Sequence, residues 1–249
     1  MKLLLTSFLC FSILSISAQV NQKDAQGRRH GKWEKYHDNG NLRYRGQFKH
    51  GKEVGTFYFY FEEGNVKAIN HFRGESGVCY SYQFGADSIV AAEGKYKNSK
   101  RDSVWTFYDV DGNIIAREAY SNGQKAGSSE TYFDNGKLAE IFHYENNRKE
   151  GEWKQFYENG KLKAKGNYKE GSLQGEAVYY HPSGKPRMKG QYLKGLMHGN
   201  WYFFNENMET EKKQVWKYGT LLSQEPPAVE EEDQTGIKPI DEGVKGWRE

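Results

Sequence analysis

The sequence predicts an all-β fold, an elongated antiparallel array of eight tandem 24-residue β-hairpin repeats, and three periodic columns predict it. Stepping by 24 from Gly31, the sixth residue of every repeat is aromatic: Tyr36, Tyr60, Phe84, Tyr108, Tyr132, Phe156, Tyr180 and Phe204. The eighteenth is aromatic as well, from Phe48, Phe72 and Tyr96 through Tyr120, Tyr144, Tyr168 and Tyr192 to Trp216. The tenth is Gly40, Gly64, Ser88, Gly112, Gly136, Gly160, Gly184 and Met208, often preceded by Asn or Asp. Two aromatic columns held without insertion over 192 residues mark a repeat architecture.

Taken in order, the chain opens with Met1-Lys2, an apolar run over Leu3 to Ile16 and small residues before Gln19. This is the layout of a secretory signal peptide over 1–18, and the run is too short to span a bilayer as a helix. An extracytoplasmic location (periplasmic, envelope-associated or secreted) is therefore expected. Residues 19–30 resemble the end of a preceding repeat, with Gly27-Arg28-Arg29-His30 before Gly31, and are expected to add a capping strand. Repeats fill 31–222. In the first, Lys32–His37 reads as a strand, Asn39-Gly40 as a turn that tolerates positive φ, and Leu42–Phe48 as the return strand. Leu42, Tyr44 and Phe48 alternate with Arg43, Arg45 and Gln47, the period of two that separates the faces of a sheet. Sixteen such strands at about 4.8 Å spacing would extend roughly 75 Å. Repeat three departs from the pattern, with Cys79 in place of the leading glycine and Ser81 where others carry tryptophan, and is expected to be an irregular or bulged unit. Repeat eight, with Asn205–Thr210 at its turn, reads as a capping unit. Residues 223–249 carry eight acidic and three basic residues with Pro226, Pro227 and Pro239, the composition of a solvated, poorly ordered tail.

These repeats resemble the MORN-like repeat variant of bacterial proteins, often labelled as the antitoxin component of a toxin–antitoxin system. The resemblance lies in Gly31-Lys32-Trp33-Glu34-Lys35-Tyr36 with Asp38-Asn39-Gly40, in Gly151–Lys163, and in Gly199-Asn200-Trp201-Tyr202-Phe203-Phe204. It implies β-hairpin arrays used for protein or membrane attachment and brings no catalytic residues.

No catalytic, cofactor or metal site is expected from the residues themselves. His71 and His143 share a column but lie three repeats apart, roughly 29 Å, too far to share an ion. Cys79, the only cysteine beyond the signal, fills a column otherwise held by glycine or serine. Serines lie outside any nucleophile elbow, and the Gly-Lys pairs lack the following Ser or Thr of a phosphate loop. A net charge of +3 with mixed signs argues against nucleic acid, and no second long apolar run follows the signal, so the mature chain is not integral to a membrane. Function is expected at the surface. The third column supplies the candidate partner-binding aromatics Trp33, Phe57, Trp105, Trp153 and Trp201, which alternate to the face opposite Tyr36. An unidentified protein is the first expected partner. The alternative is a structural envelope protein attached by low-affinity contacts to glycan or anionic lipid headgroups. Basic rows that include Arg43, Arg45, Lys163, Lys165, Arg187 and Lys189 suggest contact with acidic polymer or lipid headgroups.

Overall fold

The computed structural model describes residues 19–225, and the signal-peptide assignment and residues 226–249 of the tail lie outside them. All regular structure among the described residues is β, in twenty strands paired antiparallel with sequence neighbours or, across the two-residue strands at 148–149 and 172–173, with the next strand but one. The first compact unit comprises the chain to Gly160 together with Tyr168–Gly171. It contains β1 (Gln22–Lys23), β2 (Arg29–Tyr36), β3 (Leu42–Lys49), β4 (Lys52–Tyr60), β5 (Val66–Phe72), β6 (Val78–Phe84) and β7 (Val90–Lys97). It continues with β8 (Lys100–Tyr108), β9 (Ile114–Ser121), β10 (Gln124–Tyr132), β11 (Leu138–Glu145), β12 (Arg148–Lys149) and β13 (Gly151–Phe156). The second unit takes Lys161–Asn167 and the chain from Ser172. It holds most of β14 (Leu162–Lys169), then β15 (Ser172–Leu173), β16 (Gly175–Tyr180), β17 (Pro186–Leu193), β18 (Leu196–Phe204), β19 (Thr210–Lys217) and β20 (Thr220–Glu225).

Two kinds of turn alternate, and each reads out a column of the repeat. Inside the first repeat, His37 N–H donates to Asn41 O at 2.8 Å and Gly40 N–H to His37 O at 3.0 Å, with a bulge between Lys35 and Tyr36. Only the tenth residue is left-handed there, so Asn39 needs no positive φ. The two-residue primed turn lies instead between the return strand of one hairpin and the first strand of the next, where His50 (φ 50°) and Gly51 (φ 82°) are both left-handed. Asn122-Gly123 and Glu170-Gly171 repeat this geometry, whose twist matches that of the flanking strands. The tenth-residue conformation survives even where glycine does not: Ser88 sits at φ 66° and Met208 at φ 72°.

Repeat three departs from the other units, but not by the bulge expected of it. In the other repeats the first residue is left-handed, including the non-glycine Ser103 at φ 61°. The pairing between repeats slips there, as between Arg45 and Gln47 against β4 or between Lys125 and Ser129 against β9. Cys79 replaces that residue, and β5 pairs with β6 in unbroken register from Ala68↔Gln83 to Phe72↔Cys79. The departure removes a bulge rather than adding one. The ends also differ from the sequence reading in detail. β1 caps the first repeat through Gln22↔His30 and Lys23↔Arg29, as expected of residues 19–30. At the other end β20 pairs with β19, so the ladder continues beyond repeat eight and three residues into the segment assigned to the tail.

Candidate binding faces and a cleft at repeat three

The third column, expected to present aromatics to a partner, is the core. Trp105 and Trp201 are 0% exposed, Phe57 1% and Trp153 7%, and the small members Ser81, Ser129 and Ala177 are buried with them. Trp33 is half-buried and donates its indole N–H to Gln22 O in the cap at 2.9 Å. Phe57, Trp105, Trp153 and Trp201 thus lie in the packing between hairpins rather than on an open contact surface, whereas Trp33 is half-buried.

A sheet face becomes a core here by two devices. The first is a glycine on the preceding return strand. A Cβ at Gly46 would lie 2.5 Å from the Phe57 ring, at Gly94 2.5 Å from Trp105, and at Gly190 2.2 Å from Trp201. Each ring thus rests on bare backbone, a position only glycine leaves open. The second device is a cation two residues before the next repeat. Arg29 lies over Phe48 at 3.9 Å, Arg101 over Trp105 at 4.5 Å, and Lys149 over Phe142 at 3.3 Å and Tyr168 at 5.0 Å. Their aliphatic stems cover the rings while the charges meet the ring faces. Burial lowers the pKa of the Lys149 ammonium.

The opposite face carries what a partner could touch. Tyr36 is 53% and Tyr80 42% exposed. Cations alternate with tyrosines across neighbouring strands, with Arg45 5.0 Å from the Tyr58 ring, Arg117 5.7 Å from Tyr132 and Lys189 5.8 Å from Tyr202. Arg43, Arg45, Lys163, Lys165, Arg187 and Lys189 are all exposed, as the sequence reading placed them. Tyr108 donates to Glu93 at 2.6 Å, and burial together with that carboxylate pushes the phenol up to about 12.

At repeat three the ring is replaced by Ser81, the glycine beneath it by Asn70 and the cation by Gly77, and these residues line a cleft of about 790 Å3. Asn70 and Ser81 face each other across β5 and β6, and neither Asn70 Oδ1 nor Ser81 Oγ, though buried, has a hydrogen-bond partner in the protein. Gln83 donates to the Tyr96 hydroxyl at 3.0 Å, and Phe72 and Glu53 complete the inner wall. No signal of aromatic periodicity points to this cleft; the sequence trace of it is the clustering of Gly77, Cys79 and Ser81 departures within five residues.

Several residues weighed for chemistry have structural places. Cys79 is buried, and desolvation lifts its thiol to about 11, so it is protonated at neutral pH. His37 and His181 each reach a carbonyl of the next repeat, Tyr60 O at 3.2 Å and Phe204 O at 2.9 Å. A carbonyl only accepts, so the ring nitrogen is the donor. Among the described residues no three His, Cys, Asp or Glu side chains gather as metal ligands. No helix among them is long and apolar enough to cross a membrane.

Comparison with known families matches the MORN repeat variant at residues 29–50, 53–73, 125–146, 149–170 and 173–194. Repeats three, four and eight lie outside these matches but form the same hairpins. Comparison with curated proteins finds no match. Among solved structures, the Staphylococcus aureus TarM G117R mutant, in complex with Fondaparinux, alpha-GlcNAc-glycerol and UDP, is 13% identical over 38% of this chain and 19% of its own, with a TM-score of 0.30. The Photorhabdus luminescens Tc holotoxin pore is 13% identical over 80% of this chain and 13% of its own, with a TM-score of 0.23. The chain thus spans less than a fifth of the length of either structure.

Proposed function

From the premise that this chain is a MORN-variant repeat protein, we propose that it is a non-catalytic binding module of the extracytoplasmic space that engages a protein through its outer, tyrosine- and cation-bearing face. The observation that supports this is the interleaving of Arg45 with Tyr58 and of Lys189 with Tyr202 on the face opposite the packed rings. Tyrosine and arginine are enriched where binding energy concentrates at protein interfaces, tyrosine through large contact area with few rotamers to freeze and arginine through a planar fork of donors. The signal-like first eighteen residues support the location. Neutralisation of a toxin would be one case of such protein binding.

The test is affinity capture from extracytoplasmic extract at low and high salt, comparing residues 19–249 with the same chain carrying Arg45→Ala, Tyr58→Ala and Tyr202→Ala. The reading expects a discrete partner that survives high salt and is lost with the triple substitution. Equal recovery by both chains contradicts it. The exposed basic rows favour a second reading, contact with anionic lipid. Co-sedimentation with phosphatidylglycerol vesicles, abolished by salt because surface charges are screened, would identify that mode.

A further inference from the structure

The tyrosine and cation pairs of the outer face do not account for the cleft at repeat three, whose floor is inner-face Asn70, Ser81 and Gln83 and whose lining extends to Tyr36 and Arg43. We propose that this cleft is a binding site for a neutral oligosaccharide, floored by Asn70, Ser81 and Gln83. Its size, about 790 Å3, is within the range of small-molecule sites. A buried polar atom without a partner costs free energy, and two of them, Asn70 Oδ1 and Ser81 Oγ, meet across one strand pair. A ligand that brings several hydroxyl groups can satisfy an amide and a serine together, because each hydroxyl both donates and accepts.

The remaining walls narrow the ligand class. Phe72 and Tyr96 add aromatic rings to the lining, apolar surface of the kind on which the C–H face of a sugar packs, and Glu53 adds an acceptor for hydroxyl donors. Formal charge around the cleft cancels, Lys35, Arg43 and Lys67 against Asp38, Glu53 and Glu62, so neither a phosphate nor a polyanion is favoured. A peptide cannot enter by adding a strand, because β6 is paired on both sides, with β5 and with β7. The occupant must therefore be read by side chains.

Repeat architecture supplies a control. In repeats two, four and eight the large third residue sits on a glycine, Phe57 on Gly46, Trp105 on Gly94 and Trp201 on Gly190. Asn70→Gly together with Ser81→Trp restores that pairing and fills the floor of the cleft. A milder variant, Ser81→Ala, removes only the unpartnered hydroxyl, so the fold is retained or gains stability.

The experiment is titration of residues 19–249 with cellotriose, maltotriose and N,N′-diacetylchitobiose, followed by calorimetry and saturation-transfer NMR, with trigalacturonate as the anionic comparator. The proposal expects at least one neutral sugar to bind with a Kd below about 1 mM and trigalacturonate to bind more weakly. Ser81→Ala should weaken binding severalfold and the double substitution at least about tenfold, both with unchanged circular dichroism. Absence of binding by all three sugars, tighter binding of trigalacturonate, or affinity unaltered by Ser81→Ala would each overturn it. If the double variant does not fold, Ser81→Ala alone decides. None of these outcomes bears on partner capture through the outer face.

Discussion

Adding one methyl group at Gly94 is the most direct perturbation of the packing described above. An ideal Cβ there lies 2.5 Å from Trp105 Cδ2 and 2.6 Å from Cε2 and Cγ, all atoms of a rigid bicycle rather than the end of a flexible chain. The indole has little room to retreat. It is 0% exposed, stands edge-on to Tyr96 at 4.8 Å, lies under Arg101, and donates Nε1–H to Lys95 O at 3.0 Å. Overpacking of this kind costs about 1–3 kcal/mol, and displacing the indole hydrogen bond adds about 1 kcal/mol. Gly94 is not left-handed, so alanine carries no backbone penalty and recovers about 0.5–1 kcal/mol by restricting the unfolded chain. The balance is a destabilisation of about 1–3 kcal/mol by Gly94→Ala. Urea unfolding followed by tryptophan fluorescence reads the global change. Hydrogen–deuterium exchange over 90–108 locates it, which matters because repeat arrays need not unfold as one unit. In a Trp105→Ala background the cost of Gly94→Ala should vanish, a coupling that a double-mutant cycle isolates. A stabilising Gly94→Ala, or an equal cost in both backgrounds, would refute the argument that this glycine exists to receive the ring.

Ser88 and Met208 hold the left-handed tenth position without glycine. Ser88→Gly and Met208→Gly should each raise stability by about 0.5–1 kcal/mol in thermal unfolding, while Gly112→Ala, with nothing near its Cβ, should lower it by a similar amount through φ alone. The Tyr108 phenol titrates higher in the fold, about 12, than in the open chain, near 10. The folded state therefore retains the proton longer, and its contribution is present below pH 10 and lost as pH rises through about 12. Alkaline unfolding of Tyr108→Phe should accordingly show a shallower decline across that window than the parent chain, and an unchanged slope would contradict it. The buried Cys79 thiol, lifted to about 11, should resist a chromogenic disulfide at pH 8 in the native chain and react at once in denaturant. Stoichiometric native labelling within minutes would disprove its burial.

The hairpins, their boundaries and the 24-residue register were legible because aromatic and turn residues recur without interruption. β2 and β3 end within three residues of the strands read from Lys32–His37 and Leu42–Phe48. What was not legible was which aromatic face is core. Period two divides Trp33 from Tyr36 but assigns neither to the interior when both faces are rich in rings. The discriminating signal lay between columns rather than within one. The sixteenth residue is glycine before Phe57, Trp105 and Trp201, but Asn70 before Ser81 and Glu118 before Ser129. This is an exchange of volume across the strand pair that Phe142 before Trp153 and Gly166 before Ala177 do not follow. The turns show a similar limit. Asn39-Gly40 carries the strongest local turn composition, yet the primed turn falls at His50-Gly51, because pairing distance and twist, not dipeptide identity, select the turn type. The cleft stayed hidden because Cys79 and Ser81 read only as an irregular repeat, and the register of β5 with β6 is what brings Asn70 opposite the gap.

Hydroxyl-radical footprinting of residues 19–249, read by mass spectrometry at single-residue resolution, tests most directly which face is core and which is presented. The account predicts strong protection of Phe57, Trp105 and Trp201 and ready oxidation of Tyr36, Tyr80 and Tyr218. Oxidation of Trp105 and Trp201 at rates comparable to Tyr36 would return the third column to the surface and contradict it.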